Sequence, residues 1–167
     1  MTAPALEICR AAPQDRLPIL RMLELYQYEL SDIWDQDLDA HGEYGYALDR
    51  YWTDARCHPF VAKVGGHYAG FALVDAAVKV NNVGRWMDQF FVLKKYRRAG
   101  VGKAMALRVF AELPGQWEVG QMASNLAAQA FWRRVIGDCT GGNFVEHALA
   151  GDWWEGYVQC FSNAAQA

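Results

Sequence analysis

Met87-Asp88-Gln89-Phe90-Phe91-Val92-Leu93-Lys94-Lys95-Tyr96-Arg97-Arg98-Ala99-Gly100-Val101-Gly102-Lys103-Ala104 is the stretch on which both fold and chemistry turn. It begins as an apolar strand, passes through a basic turn, and ends in small residues that open a helix. Met105, Val109 and Leu113 follow at helical spacing, with Ala106 and Phe110 beside them, which predicts an amphipathic helix over 100–113. Pro114-Gly115 stops it. A strand–turn–helix of this kind directs several backbone N–H groups toward the helix start, where the macrodipole is positive. An anion bound there is stabilised by both effects. Gly100 and Gly102 lack a Cβ, so a phosphate can approach the main chain closely, and Arg97, Arg98 and Lys103 add positive charge.

Two common phosphate loops fail at this segment. A P-loop needs Gly-x-x-x-x-Gly-Lys-Ser/Thr. Gly102-Lys103 fits its centre, but Arg97 stands where the first glycine belongs and Ala104 where the magnesium-binding hydroxyl belongs. The dinucleotide pattern Gly-x-Gly-x-x-Gly begins at Gly100 and Gly102 and then meets Met105. The pattern that fits is Arg-x-x-Gly-x-Gly, at Arg97, Gly100 and Gly102.

Upstream, Leu6–Arg10 alternates as a half-buried strand, and Ala12-Pro13-Gln14-Asp15 opens a helix reaching about residue 30. Residues 31–46 are acidic and aromatic, with Asp32, Asp35, Asp37, Asp39 and Glu43 among Trp34, His41, Tyr44 and Tyr46. They read as a loop with short helical turns, and a second helix is expected near 47–53. Phe60–Val64, Gly65-Gly66 and Tyr68–Asp75 form a hairpin signal, the glycines supplying the positive φ of a tight turn. A turn at Asn81–Gly84 leads into a strand over 85–93. Downstream come a strand at 116–123, a helix at 125–135 with Ser124 as its expected N-cap, and two strands at 143–149 and 153–161. The tail from Asn163 to Ala167 is expected to fray. Without repeat or linker, the chain reads as a single domain over 1–167 with a core at about 5–161.

Composition sets the outer limits. Of 167 residues, 53% are hydrophobic and 21% charged, which is globular rather than disordered. A formal net charge of -3 gives no basic field for nucleic acid. Cys9, Cys57, Cys139 and Cys160 are widely spaced, matching neither a zinc site nor a disulfide framework, and suit a reducing cytoplasm. The four histidines are dispersed, and no metal is expected. The first residues resemble no signal peptide, and no apolar run is long enough for a membrane helix.

A second motif supports the first. Asn125-x-x-Ala128-x-x-Phe131-Trp132 lies downstream of Arg97, Gly100 and Gly102. Together the two segments resemble the coenzyme A signature and the following Asn-x-x-Ala-x-x-Phe-Tyr helix of the GNAT N-acetyltransferase superfamily. The resemblance implies an α+β, α/β/α-layered fold with a mixed, mostly antiparallel central sheet of six to seven strands flanked by helices. It implies acetyl-CoA as cosubstrate and an amine as acceptor, attacked directly within a ternary complex. Backbone groups of Phe90, Phe91 and Val92 are then expected to pair with the pantetheine arm as an extra strand would. Amides of Arg97, Arg98, Ala99, Gly100, Val101, Gly102 and Lys103 are expected to hold the pyrophosphate. Asn125 is expected at the pantetheine or its water network, Phe131 beside the arm, and the thioester where the strands at 85–93 and 116–123 splay.

The sequence departs from the family at Trp132, which stands where many members place a tyrosine that protonates the leaving thiolate; indole cannot serve as that acid. Asp88 precedes Phe90-Phe91-Val92, where some members carry an acidic residue facing the acceptor. It shares strand parity with Phe90 and Val92 and is the candidate base, acting through water; the alternative is a substrate-orienting or exposed carboxylate. The acidic, aromatic segment at 32–46 lies where the family builds much of its acceptor site, and suits a cationic amine; alternatively it is a solvated loop. Trp153-Trp154 reads as core or dimer contact, and the aromatic C-terminal strands are compatible with a homodimer. The partner is a small-molecule or protein amine, with neither nucleic acid nor membrane expected. The competing reading is a non-catalytic acyl-CoA-binding or regulatory module of the same fold.

Overall fold

The structure is a computed structural model describing residues 4–152 and 154–164. Among the described residues seven strands are ordered β1-β2-β3-β4-β5-β7-β6 in one mixed, mostly antiparallel sheet: β1 Leu6–Arg10, β2 His58–Val64, β3 His67–Asp75, β4 Arg85–Val92, β5 Gln116–Met122, β6 Val145–Gly151 and β7 Trp154–Ser162. The helices are α1 Arg16–Trp34, α2 Arg50–Thr53, α3 Val101–Glu112 and α4 Leu126–Thr140. The fold class is thus the expected α+β arrangement. The chain divides into two compact units, residues 1–73 with 89–105 and residues 74–88 with 106–167. The tail expected to fray from Asn163 is tied down at its start, where the Asn163 side chain accepts from the Gly115 amide at 2.8 Å and donates to the Phe110 carbonyl at 2.6 Å; the rest of that expectation, at 165–167, and the role given to Trp153 lie outside the described residues.

In the first unit β1 pairs antiparallel with β2 from Leu6↔Val64 to Arg10↔Phe60. Gly65 (φ 57°) and Gly66 (φ 78°) close the β2–β3 hairpin, a turn that needs two left-handed residues in succession. α1 buries Ile19, Met22 and Leu23, and Tyr26 one turn on meets Phe71 and Phe91 at 6.4 and 5.3 Å between centroids. That spacing of three and four residues is the apolar stripe of the helix. α1 extends a turn beyond the expected end, to Trp34, and stops at Asp35 with φ 50°. Its start is a 3-10 turn, Pro13–Asp15, held by a buried carboxylate. Asp15 accepts the Ala12 amide (2.9 Å), the Tyr68 hydroxyl (2.7 Å) and the Lys63 ammonium (3.1 Å), tying the helix entry to the hairpin. Burial pushes the Asp15 pKa up, but these three partners outweigh it and hold the carboxyl below its ordinary value.

In the second unit β4 runs parallel to β5, registering Arg85 with Trp117 and Trp86 with Glu118, while β7 lies antiparallel between β5 and β6. Strand alternation gives this sheet two chemically different faces. Trp117 and Phe161 belong to the face that meets Phe110, at 4.8 and 5.1 Å, and Phe110 in turn lies 6.2 Å from Trp132 of α4. The Trp117 indole is fully buried and donates to the Leu113 carbonyl at 2.8 Å, so its polar end is satisfied. Gln121 and Gln159, also buried, exchange amide hydrogen bonds of 2.7 and 2.9 Å. α4 is capped by Asn125 rather than Ser124: the Asn125 carboxamide oxygen accepts from the Ala128 amide at 3.2 Å. The helix continues past 135 to Thr140, ending on left-handed Gly141.

Candidate functional site

The basic turn forms as strand, 3-10 turn and helix. Lys94–Tyr96 is the 3-10 turn that follows β4, and the Arg97 amide donates back to the Lys94 carbonyl at 3.2 Å to close it. Arg98 and Gly100 then take left-handed torsions, φ 66° and 79°, which reverse the chain into α3. Alternation between right- and left-handed residues is the geometry that gathers successive N–H groups into a concave nest. A Cβ built on Gly100 meets nothing within 4 Å, so the turn is open where a ligand would approach. α3 begins at Val101, and its first intrahelical bond inside this turn is Ala104 N–H to the Gly100 carbonyl at 3.0 Å. The first-turn amides before it point along the helix axis toward that opening.

Arg97 has a different task from the one its charge suggests. Its Nε donates to the Val92 carbonyl at 2.7 Å, its Nη2 reaches both Glu29 oxygens at 3.0 and 2.8 Å, and its guanidinium lies 5.3 Å over the Phe91 ring. It therefore ties the end of β4 to α1. Gly70 on β3 stands directly against the Phe91 carbonyl, where any Cβ would collide with the backbone of β4. Phe91 and Val92 are buried, whereas Phe90 is half-buried.

The acidic segment folds on α1 through its own carboxylates. Glu24 accepts the Tyr44 and Gly45 amides at 2.9 and 3.1 Å, and Asp39 accepts those of His41 and Glu43 at 2.8 and 3.0 Å. An open recess of 640 Å³ remains, lined by Asp32, Asp35, Asp37, Leu38 and Tyr44 among others. Trp34 is 57% exposed and so does not pack into the core.

Asp88 is half-buried on β4, on the same strand face as Trp86. Near it lies a set of groups that the sequence reading did not single out. Glu118 is 1% exposed and accepts the Lys79, Val80 and Asn81 amides at 2.6, 3.1 and 2.7 Å, and the Asn81 carboxamide at 2.9 Å. Asp75, also buried, accepts the Ala77 amide at 2.9 Å. Two carboxylates thus fix the connection from β3 to β4. Lys79 extends over the Trp86 ring, its Nζ 3.6 Å from the centroid, with the Trp154 ring at 5.3 Å. Burial pushes the Lys79 pKa down against the opposing pull of Asp75, Asp88 and Glu118. A lone glutamate inside the apolar strand Gln116-Trp117-Glu118-Val119-Gly120 was the available signal for this cluster.

Asn125 lies at the N-cap of α4, and Phe131 is half-buried, 5.0 Å from Trp132 in an edge-on contact. Trp132 itself is 5% exposed and belongs to the core with Phe110, so its ring has a packing role. Among the described residues no group of three or more His, Cys, Asp or Glu could hold a metal ion, and no helix is long and apolar enough to cross a membrane.

Comparison with known proteins bears on this geometry. No curated protein matches the sequence. The fold is similar to an acetyltransferase from Thermus thermophilus (TM-score 0.65, 14% identity, 97% of this chain and 99% of that one). It is similar to a ribosomal-protein-alanine N-acetyltransferase from Brucella melitensis (TM-score 0.65, 17% identity, 93% and 99% covered). It is also similar to the PaiA N-acetyltransferase of Thermoplasma acidophilum, solved in complex with coenzyme A (TM-score 0.58, 11% identity, 95% and 99% covered). At these identities the structures share the fold alone. The family model described as the acetyltransferase (GNAT) family matches residues 20–137, more than half of the chain. The chain belongs to the GNAT acetyltransferase family.

Proposed function

We propose that this protein transfers the acetyl group of acetyl-CoA to a primary amine by direct attack within a ternary complex. The observation that carries the reading is the turn from Arg98 to Lys103, where left-handed Arg98 and Gly100 open the start of α3 and leave space at the Gly100 Cα. Amides of Arg98, Ala99, Gly100, Val101, Gly102 and Lys103 hold the pyrophosphate, whose charge the helix start stabilises. The backbone of Phe90, Phe91 and Val92 supports the pantetheine arm, which brings the thioester.

The chemistry asked of the remaining side chains is limited. The acceptor arrives as an ammonium ion and must lose a proton before its lone pair attacks the acetyl carbonyl. Asp88 receives that proton, directly or through water. The C–N bond forms, the C–S bond breaks, and coenzyme A leaves as a thiolate. The nitrogen's second proton passes to solvent and water returns one to the thiolate, since Trp132 is a buried indole and no acid. The carboxylates around the recess at Asp32, Asp35 and Asp37 favour cationic acceptors near the surface. Four free cysteines are consistent with a reducing cytoplasm as the place of reaction.

A thiol-release assay with acetyl-CoA across a varied amine panel tests the reaction, and calorimetry with acetyl-CoA tests the binding. Binding without release from any amine would replace this reading with a non-catalytic acyl-CoA-binding module, the alternative that Trp132 favours. No binding at all would overturn both.

A further inference from the structure

Lys79 is placed as a ligand would be. Its ammonium sits 3.6 Å over the Trp86 ring and 5.3 Å from the Trp154 ring, and lies 3.4 Å from the Ala77 carbonyl oxygen. The two indoles meet edge to face at 5.3 Å and 89°, forming two walls at a right angle. Gly120 makes room for them: a Cβ there would collide with the Trp86 ring and come within 2.8 Å of Trp154. Asp75 and Asp88 add negative potential, as the downward pressure of burial on the Lys79 pKa is opposed by their charges. Indole faces and nearby carboxylates together form an environment for an organic ammonium.

The segment carrying Lys79 cannot follow its side chain. Its backbone is fixed by Glu118 at Lys79, Val80 and Asn81 and by Asp75 at Ala77. The flexible four-carbon stem can nevertheless withdraw and return a half-desolvated charge to water. The Trp154 Nε1 is itself buried with no hydrogen-bond acceptor among the described residues.

We propose that Trp86, Trp154 and the Ala77 carbonyl form the binding site for the ammonium group of the acyl acceptor, and that Lys79 is its built-in occupant, displaced when the acceptor binds. The proposal rests on the acetyl-transfer reading for the identity of its ligand, and it specifies an organic ammonium. Asp88, on the Trp86 face, then stands beside the group it deprotonates. Selection follows from the same geometry. An acceptor must offer the cage more than Lys79 does, so neutral or anionic molecules cannot compete.

The experiment uses no acetyl-CoA, so its failure is distinguishable from failure of the acetyl-transfer reading. The unaltered protein is labelled with trace acetic anhydride at rising tetramethylammonium, with sodium chloride at matched ionic strength as control. Lys79 modification is measured by peptide mass spectrometry against the exposed Lys94 and Lys95. Displacement predicts a saturable rise of about fivefold at Lys79 alone. In a second arm tryptophan fluorescence reports tetramethylammonium binding, expected about tenfold tighter in Lys79→Ala than in the unaltered protein. Adding Trp154→Leu to Lys79→Ala should abolish the gain. Labelling of Lys79 that ignores the probe, or binding unchanged by Lys79→Ala or by the added Trp154→Leu, would overturn the proposal.

Discussion

Two connections in this chain gather backbone amides, and they complete themselves differently. Between β3 and β4, three successive amides converge on the buried carboxylate of Glu118, so the chain supplies its own anion. Between β4 and α3, left-handed Arg98 and Gly100 arrange the turn, and the space at Gly100 is open. The first connection is therefore a structural element, stable at the expense of adaptability. The second is a candidate receptor whose anion comes from outside. One device, converging N–H groups around negative charge, serves two ends according to where the charge comes from.

The sharpest way to break this contrast is to remove the internal anion. Glu118→Ala leaves four donors without their acceptor, and urea denaturation should show a loss of about 4 kcal/mol. Glu118→Gln keeps one acceptor oxygen and should lose about half as much. The matching change at the open turn is Gly100→Glu, which places a carboxylate where the pyrophosphate is assigned. Calorimetry should show acetyl-CoA affinity falling about a hundredfold, equivalent to about 3 kcal/mol. Its thermal midpoint should fall only slightly, because the new Cβ meets no neighbour and the cost is that of the left-handed torsion, about 1 kcal/mol. If the two substitutions exchange signatures, the contrast is wrong.

A smaller effect is expected at Asp15, the buried carboxylate of the first unit. Asp15→Asn should cost about 2 kcal/mol at neutral pH. Burial raises the Asp15 pKa, but Tyr68, Ala12 and Lys63 more than reverse this, so the folded value lies below the unfolded one. Its contribution is therefore complete above the unfolded carboxylate pKa and disappears as pH falls through the lower folded value. Denaturation of the two proteins should thus differ most near neutrality and converge in strong acid. The smallest effect concerns thiols. Burial and then the nearby Glu118 charge push the Cys160 pKa up to about 11, against the opposing hydrogen bond of Asn81. A thiol-titrating reagent should modify exposed Cys9 readily in the native protein and leave Cys160 largely unreacted at neutral pH.

What the sequence reveals of these regions follows from how locally each is built. The open turn is legible because its chemistry lies within a few consecutive residues, Arg97 to Lys103, and glycine at a turn has a direct backbone meaning. The α4 motif is legible for the same reason, although its cap is Asn125 where Ser124 was expected; Asn and Ser are comparable caps, so residue type alone does not choose between these neighbours. The hairpin at Gly65-Gly66 and the apolar stripe of α1 could likewise be read from spacing. The Trp86–Trp154 cage was not legible. Its parts come from β4, β5, β7 and the β3–β4 connection, and only strand register places Trp86 beside Glu118 and Gly120 on one face. Arg97 shows the converse: its type suggested ligand charge, and the structure gives its side chain to Glu29 and Val92.

The reciprocal amides of Gln121 and Gln159 carry a consequence for folding fidelity. A strand that slips by one residue turns its apolar side chains to water, so hydrophobic alternation alone penalises odd slips. A slip of two restores that alternation and escapes the penalty. In β5 and β7 a slip of two in one sense sets Gln121 directly opposite Gln159, whereas in the other sense it draws these two buried carboxamides out of reach and leaves Gln121 in the interior without its partner. The glutamine pair thus rejects even misalignments in that sense, which oil-and-water patterning alone would accept.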